Sequence, residues 1–165
     1  LKKRESGQQV GDGKCSTVLV AVDFSECSKA ALKKAKSWSK GQAGKILALH
    51  VIDQSFIKAC VHQDLGTEKQ IKKKLFLHAR EKLGEFLRRE GMNKKDTQMI
   101  VCEGIPCIEI NKKAIQCDAD MIIMGSKGNS DDMKAIFFGS TTERVLRFIK
   151  RPVLCVPPEW NYRIK

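Results

Sequence analysis

Five short apolar runs alternate with stretches whose apolar residues recur at three- and four-residue spacing, and this alternation restricts the fold more than any other feature. The runs are Ser16 to Val22 (STVLVAV), Lys45 to Val51 (KILALHV), Gln98 to Cys102 (QMIVC), Met121 to Met124 (MIIM) and Val153 to Val156 (VLCV). Each is short and unbroken by polar alternation, the pattern of a strand covered on both faces. Between them, Cys27, Ala31, Leu32, Ala35 and Trp38 mark a helix that Ser25 can cap and that Gly41 and Gly44 end. A longer helix is expected from about Glu68 to Glu90, with Ile71, Leu75, His78 or Ala79, Leu83, Phe86 and Leu87 inward and Gly91 as its stop. Pro106 suits the first turn of a third helix, whose apolar face is read as Ile108, Ile110 or Asn111, Ala114, Ile115 and Cys117. A fourth spans 140–149 with Val145, Leu146, Phe148 and Ile149, and Arg151-Pro152 breaks it. Residues 52–67 form a connection with no assigned element.

Strands alternating with helices imply βαβ units and a parallel sheet with helices on both faces, an α/β three-layer sandwich. A chain of 165 residues suits one such domain. Residues 1–14 are polar and aperiodic and read as a flexible leader, residues 15–157 as the domain, and 158–165 as a tail. No apolar run reaches the roughly 18 residues of a membrane span, and no apolar stretch follows the basic start as in a signal peptide. A cytoplasmic location is the resulting expectation.

Seven cysteines, Cys15, Cys27, Cys60, Cys102, Cys107, Cys117 and Cys155, are odd in number and lack CxxC spacing. They are read as inert thiols rather than as zinc ligands or a disulfide framework. Lys and Arg total 31 against 19 Asp and Glu, a balance of +12 that raises the question of a polyanionic partner. The lysines concentrate in the first two helices without interleaved aromatics for base stacking, so they are expected to form solvated outer faces rather than a nucleic-acid site.

In an open α/β sheet a ligand binds beyond the carboxyl ends of the strands. The first strand ends in Asp23-Phe24-Ser25 rather than GxGxxG, and no GxxxxGK[ST] loop is present. Glycines instead follow the fourth strand, in Gly125-Ser126-Lys127-Gly128 and then Gly139-Ser140-Thr141-Thr142 at the head of a helix. Glycine lets the backbone approach a ligand, and the free N–H groups of a helix start favour a phosphate at Ser140 and Thr141. A turn followed by a capped helix is the plainer reading of the same residues. His50 is read as a core or cleft-edge histidine, Met121 and Met124 as core, and Phe137-Phe138 as an apolar cover. Ser25, Ser126 and Ser140 lack a His/Asp set for nucleophilic catalysis, and no catalytic residue or metal ligand is assigned.

Taken together, Asp23, Leu49-His50-Val51, Glu103-Gly104-Ile105-Pro106, Ala119 through Gly128, Gly139 through Leu146 and Arg151 through Val156 resemble a universal stress protein domain over residues 15–157. The resemblance implies a Rossmann-like sheet of order 3-2-1-4-5, of the adenine nucleotide alpha-hydrolase-like type. ATP-binding members share G-x2-G-x9-G-[ST], which falls here on Gly125, Gly128, Gly139 and Ser140. It implies phosphates and ribose held by the glycine loop, Lys127, Ser140 and Thr141, with Asp23 at the adenine end and the Val51 backbone bonded to adenine. Implied too are ATP or AMP as ligand with Mg2+, a homodimer through Val153–Val156, a role in stress response alongside an unidentified regulatory protein, and at most slow ATP hydrolysis. Ten residues rather than nine separate Gly128 from Gly139, and they include Asp131-Asp132, opposed or offset by Lys127 and Lys134. A nucleotide-free dimeric interaction module is therefore the alternative, and a nucleic-acid binder a third. Trp160-Asn161-Tyr162 has no assigned role beyond packing on a dimer face.

Overall fold

The computed structural model describes residues 17–40, 44–128 and 138–158. The leader, Cys15, Ser16, Gly41, Asp131, Asp132, Lys134, Phe137 and the Trp160 to Tyr162 tail lie outside them. The strands are β1 (Thr17–Ala21), β2 (Lys45–Asp53), β3 (Thr97–Gly104), β4 (Met121–Gly125) and β5 (Val153–Val156). The helices are α1 (Glu26–Lys40), α2 (Gln54–His62), α3 (Glu68–Arg89), α4 (Pro106–Gln116) and α5 (Ser140–Arg147). All strand pairs are parallel in the order β3-β2-β1-β4-β5, as the resemblance implied.

The two faces of the sheet bury different residues because successive side chains alternate. Val18 and Val20 of β1 pack with Ala31, Leu32 and Ala35 of α1 and with Leu83 and Leu87 of α3. Leu19 of β1 packs the other way, with Ile110 and Ala114 of α4 and Val145 of α5. The sheet is thus sandwiched, with α1 and α3 on one side and α4 and α5 on the other. Burial of Leu19, Leu32, Leu47 and Ile122 to 2 % exposure or less places the centre of the core at β1, β2 and β4.

Local chemistry sets the helix starts. The Ser25 hydroxyl accepts the Ser28 N–H at 3.1 Å, the capping expected for α1. Thr67 and Gln70 form a reciprocal capping box at the head of α3. The unassigned connection contains α2, capped by the Asp53 carboxylate accepting from Ser55 N at 2.8 Å, with Ile57 buried against α3.

Two expectations need correcting, and one open choice is decided. α5 ends at Arg147 rather than 149, and Phe148 and Ile149 are 69% and 49% exposed, because the Arg151-Pro152 pair forces the chain out of the helical region. In α4, Ile110, Asn111 and Ala114 face the sheet, whereas Ile108 and Ile115 lie outside it, since a short helix over a sheet buries one stripe only. In α3 the choice between His78 and Ala79 falls to Ala79, which is buried in step with Leu83 and Leu87.

Candidate functional site

β1 and β4 are neighbours, yet their following helices lie on opposite faces of the sheet, so a cleft opens between the strand ends. The parting chains bring Asp23, Val51, Gly125, Lys127, Gly128, Gly139, Ser140 and Thr141 to its walls, every position expected from the sequence. The lining also includes His50, Pro106, Ile110 and Met124, of which the sequence marks only His50 as a cleft-edge candidate. The cleft encloses about 140 Å³, so a ligand of nucleotide size would extend along its open side.

Each wall is fixed by specific bonds. Asp23 turns the chain from β1 into α1, its Oδ1 accepting from the Ser25 N–H at 3.0 Å and from the Ser25 hydroxyl. Phe24, at φ 67°, is held in this left-handed position by packing. Its ring lies 4.5 Å from that of His50 and 5.6 Å from that of Phe86, and the Lys82 Nζ sits 4.3 Å over it. The His50 Nδ1 lies 2.7 Å from the Val22 carbonyl oxygen. That oxygen only accepts, so Nδ1 carries the proton and the imidazole joins the ends of β1 and β2. Burial pushes the His50 pKa below its ordinary value; the Val22 bond opposes this, Lys82 adds to it and Asp23 opposes it.

The opposite wall is built from the glycines. Gly125 lies so close to the start of α1 that an added Cβ would sit 2.5 Å from the Cys27 Cβ. A Cβ on Gly128 would sit 2.6 Å from the Asp23 Oδ2, which places the glycine loop directly against the carboxylate. Gly139 N donates to the Ser126 carbonyl at 2.8 Å, and the buried Thr142 hydroxyl donates to the Gly125 carbonyl at 2.9 Å. These two bonds tie the first turn of α5 to the end of β4. Among the described residues no side chain caps α5, and its first residues, Ser140 and Thr141, line the cleft, so the N–H end of the helix lies at the wall.

The chemistry this arrangement offers is directional binding. Its walls combine apolar Val22, Leu49, Ile110 and Met124 with the Lys127 cation and the backbone of the glycine segments. Among the described residues no three of His, Cys, Asp and Glu group to hold a metal ion. The described cysteines are all free, and burial pushes the Cys102 and Cys155 thiols up, away from reactive thiolates. No helix among the described residues is long and apolar enough to cross a membrane.

The sequence pattern of the Universal stress protein family matches residues 15–157. Universal stress protein MJ0577 of Methanocaldococcus jannaschii is 36% identical over 155 residues, covering 84% of this chain and 93% of the relative. A solved structure of the MJ0577 protein superposes with a TM-score of 0.73 at 34% identity, covering 87% of this chain and 96% of that one. The universal stress protein from Archaeoglobus fulgidus in complex with dAMP superposes at 0.55 and 20% identity, covering 86% and 97%; at that identity the likeness concerns the fold.

Proposed function

The chain belongs to the universal stress protein family, and on that premise we propose that it is an adenine-nucleotide-binding regulatory protein acting as a dimer in the stress response. The observation that carries the reading is the convergence of Asp23, Val51 and the Gly125–Gly128 and Gly139–Thr141 segments on one cleft. A flat, weakly polar adenine suits the slot beside Val51, where backbone groups at the end of β2 offer one donor and one acceptor. Ribose hydroxyls suit the Asp23 carboxylate, and phosphates suit Lys127 and the start of α5. A Mg2+ ion would arrive on the phosphates and be held by their oxygens and water, since the described residues of the walls supply no carboxylate cluster. The dAMP complex of the Archaeoglobus protein accords with this choice of ligand class. Among the described residues lining the cleft, no arginine stands beside Lys127, Ser140 and Thr141 to speed hydrolysis, which favours holding or sensing a nucleotide over turning it over.

The dimer is proposed through β5. This four-residue edge strand is only half-buried along its whole length, and Phe148 and Ile149 are exposed just before it. Among the described residues no strand pairs with the outer side of β5, and an unpaired apolar edge is a liability that pairing with a second β5 removes.

The test is a melting experiment with MgATP, AMP and GTP. At ~100 times the dissociation constant a ligand adds about 2.7 kcal/mol, a rise of roughly 5–10 °C for a domain of this size. The rise is expected with adenine nucleotides, smaller with GTP, and lost in Gly139→Glu. No rise with any nucleotide would leave the nucleotide-free interaction module as the function.

A further inference from the structure

The second edge of the sheet is longer than the one assigned to dimerisation, and it is bare. β3 pairs with β2 over all eight residues from Thr97 to Gly104, and nothing among the described residues bonds to its other side. Edge strands are ordinarily protected by proline, a bulge, an inward lysine or a covering loop. β3 reads TQMIVCEG, with neither proline nor lysine, and Gln98 and Met99 are exposed.

The surface beside this edge has a definite charge. Gly84 of α3 lies against Met99, where an added Cβ would sit 3.7 Å from the methionine sulfur. Lys73, Leu77, Arg80 and Arg88 stand at helical spacing from Gly84 and so share its side of α3, away from α1 and toward the β3 edge. All four are exposed, Leu77 to 60%. Lys73, Arg80 and Arg88 make no ion pair with a described residue, whereas the neighbouring acids are engaged: Glu103 by Lys72 at 2.7 Å and Glu85 by Arg89 at 3.6 Å. Only Glu81 on that helix opposes the three cations.

We propose that the outer edge of β3 is a strand-addition site for an extended acidic segment of a partner protein. The segment extends the sheet through main-chain hydrogen bonds to β3, sets apolar side chains on Leu77 and Met99, and places carboxylates by Lys73, Arg80 and Arg88. A second copy of this chain is the wrong occupant. Pairing two β3 strands about a two-fold axis would set the same three cations of each copy against one another, in a chain already at +12. A nucleic-acid backbone would use the cations but leave the strand edge unpaired.

The probe is a labelled peptide of about ten residues repeating Glu-Glu-Val-Val, which sets both residue types on each face of a strand, with a Lys-Lys-Val-Val peptide as its control, followed by fluorescence anisotropy and amide hydrogen exchange. The acidic peptide is expected to bind, the basic one not, and exchange over residues 97–104 to slow. Lys73→Glu with Arg80→Glu should weaken binding at least ~10-fold. Met99→Lys, an edge-blocking change at an exposed position, should weaken it without altering the melting temperature. Equal binding of both peptides, full binding by the doubly reversed variant, no slowing at β3, or displacement of the peptide by duplex DNA would each overturn the proposal. None of these readouts depends on whether the cleft holds a nucleotide.

Discussion

Consider the substitution Gly128→Ala. The new Cβ would lie 2.6 Å from the Asp23 Oδ2, 0.8 Å short of the 3.4 Å at which ordinary contact begins. A free carboxylate would swing away at little cost. This one is held, because its Oδ1 accepts from both the N–H and the hydroxyl of Ser25. Turning it breaks those bonds at a part-buried site where the Ser25 donor is itself buried, and the cost is about 1–2 kcal/mol. The melting temperature should fall by roughly 2–8 °C. Nucleotide affinity should fall about 10-fold, the loss of one well-placed polar contact. Calorimetric unfolding and titration of the variant measure both effects. Adding Ser25→Ala tests the cause: with the hydroxyl bond removed beforehand and only the residue 25 N–H bond left to break, Gly128→Ala should cost less, giving a coupling of at least about 0.5 kcal/mol. A Gly128→Ala protein with unchanged melting and affinity, or effects that simply add in the double variant, would refute the clamped-carboxylate account.

Two further outcomes follow from the same walls. Gly125→Ala places a Cβ 2.5 Å from Cys27 Cβ and 2.9 Å from its backbone carbon, which cannot yield; it should destabilise by about 1–3 kcal/mol in urea unfolding, with or without nucleotide. Because His50 has a lowered folded-state pKa, the unfolded chain binds the extra proton first; this contribution is complete above the unfolded value of about 6.5 and is lost as pH falls through the lower folded value. His50→Asn, which can keep a donor on the Val22 carbonyl, should flatten that part of the stability profile in unfolding series across mildly acid pH.

Fold and cleft were largely legible because both depend on short-range chemistry. Strand runs such as KILALHV and MIIM are too short and too apolar to be anything but buried strands. Once the sheet is parallel, the residues ending the strands must share one rim, so Asp23, Val51, Gly125 and Gly128 come together without further information. What escaped depends on context. α2 is nine residues with one buried side chain, and its only local mark is the Asp53-x-Ser55 cap. Ile108, Ile115, Phe148 and Ile149 are apolar at helical spacing yet exposed, because periodicity shows that residues share a face but not that the face is covered. Met124 reads as strand interior, and its place on the cleft wall follows only from where β1 and β4 diverge; the same divergence decides between the core and cleft-edge readings of His50. The close approach of Gly128 to Asp23 joins residues 105 positions apart in the chain and has no local signature.

Amide chemical-shift mapping during an ATP titration tests the central claim most directly. The account predicts saturable shifts confined to residues 21–23, 49–51, 125–128 and 139–142, with the largest at Gly128, Ser140 and Thr141 and none along α3. Saturable shifts centred on the lysines of α1 and α3, or no shifts at millimolar ATP, would contradict it.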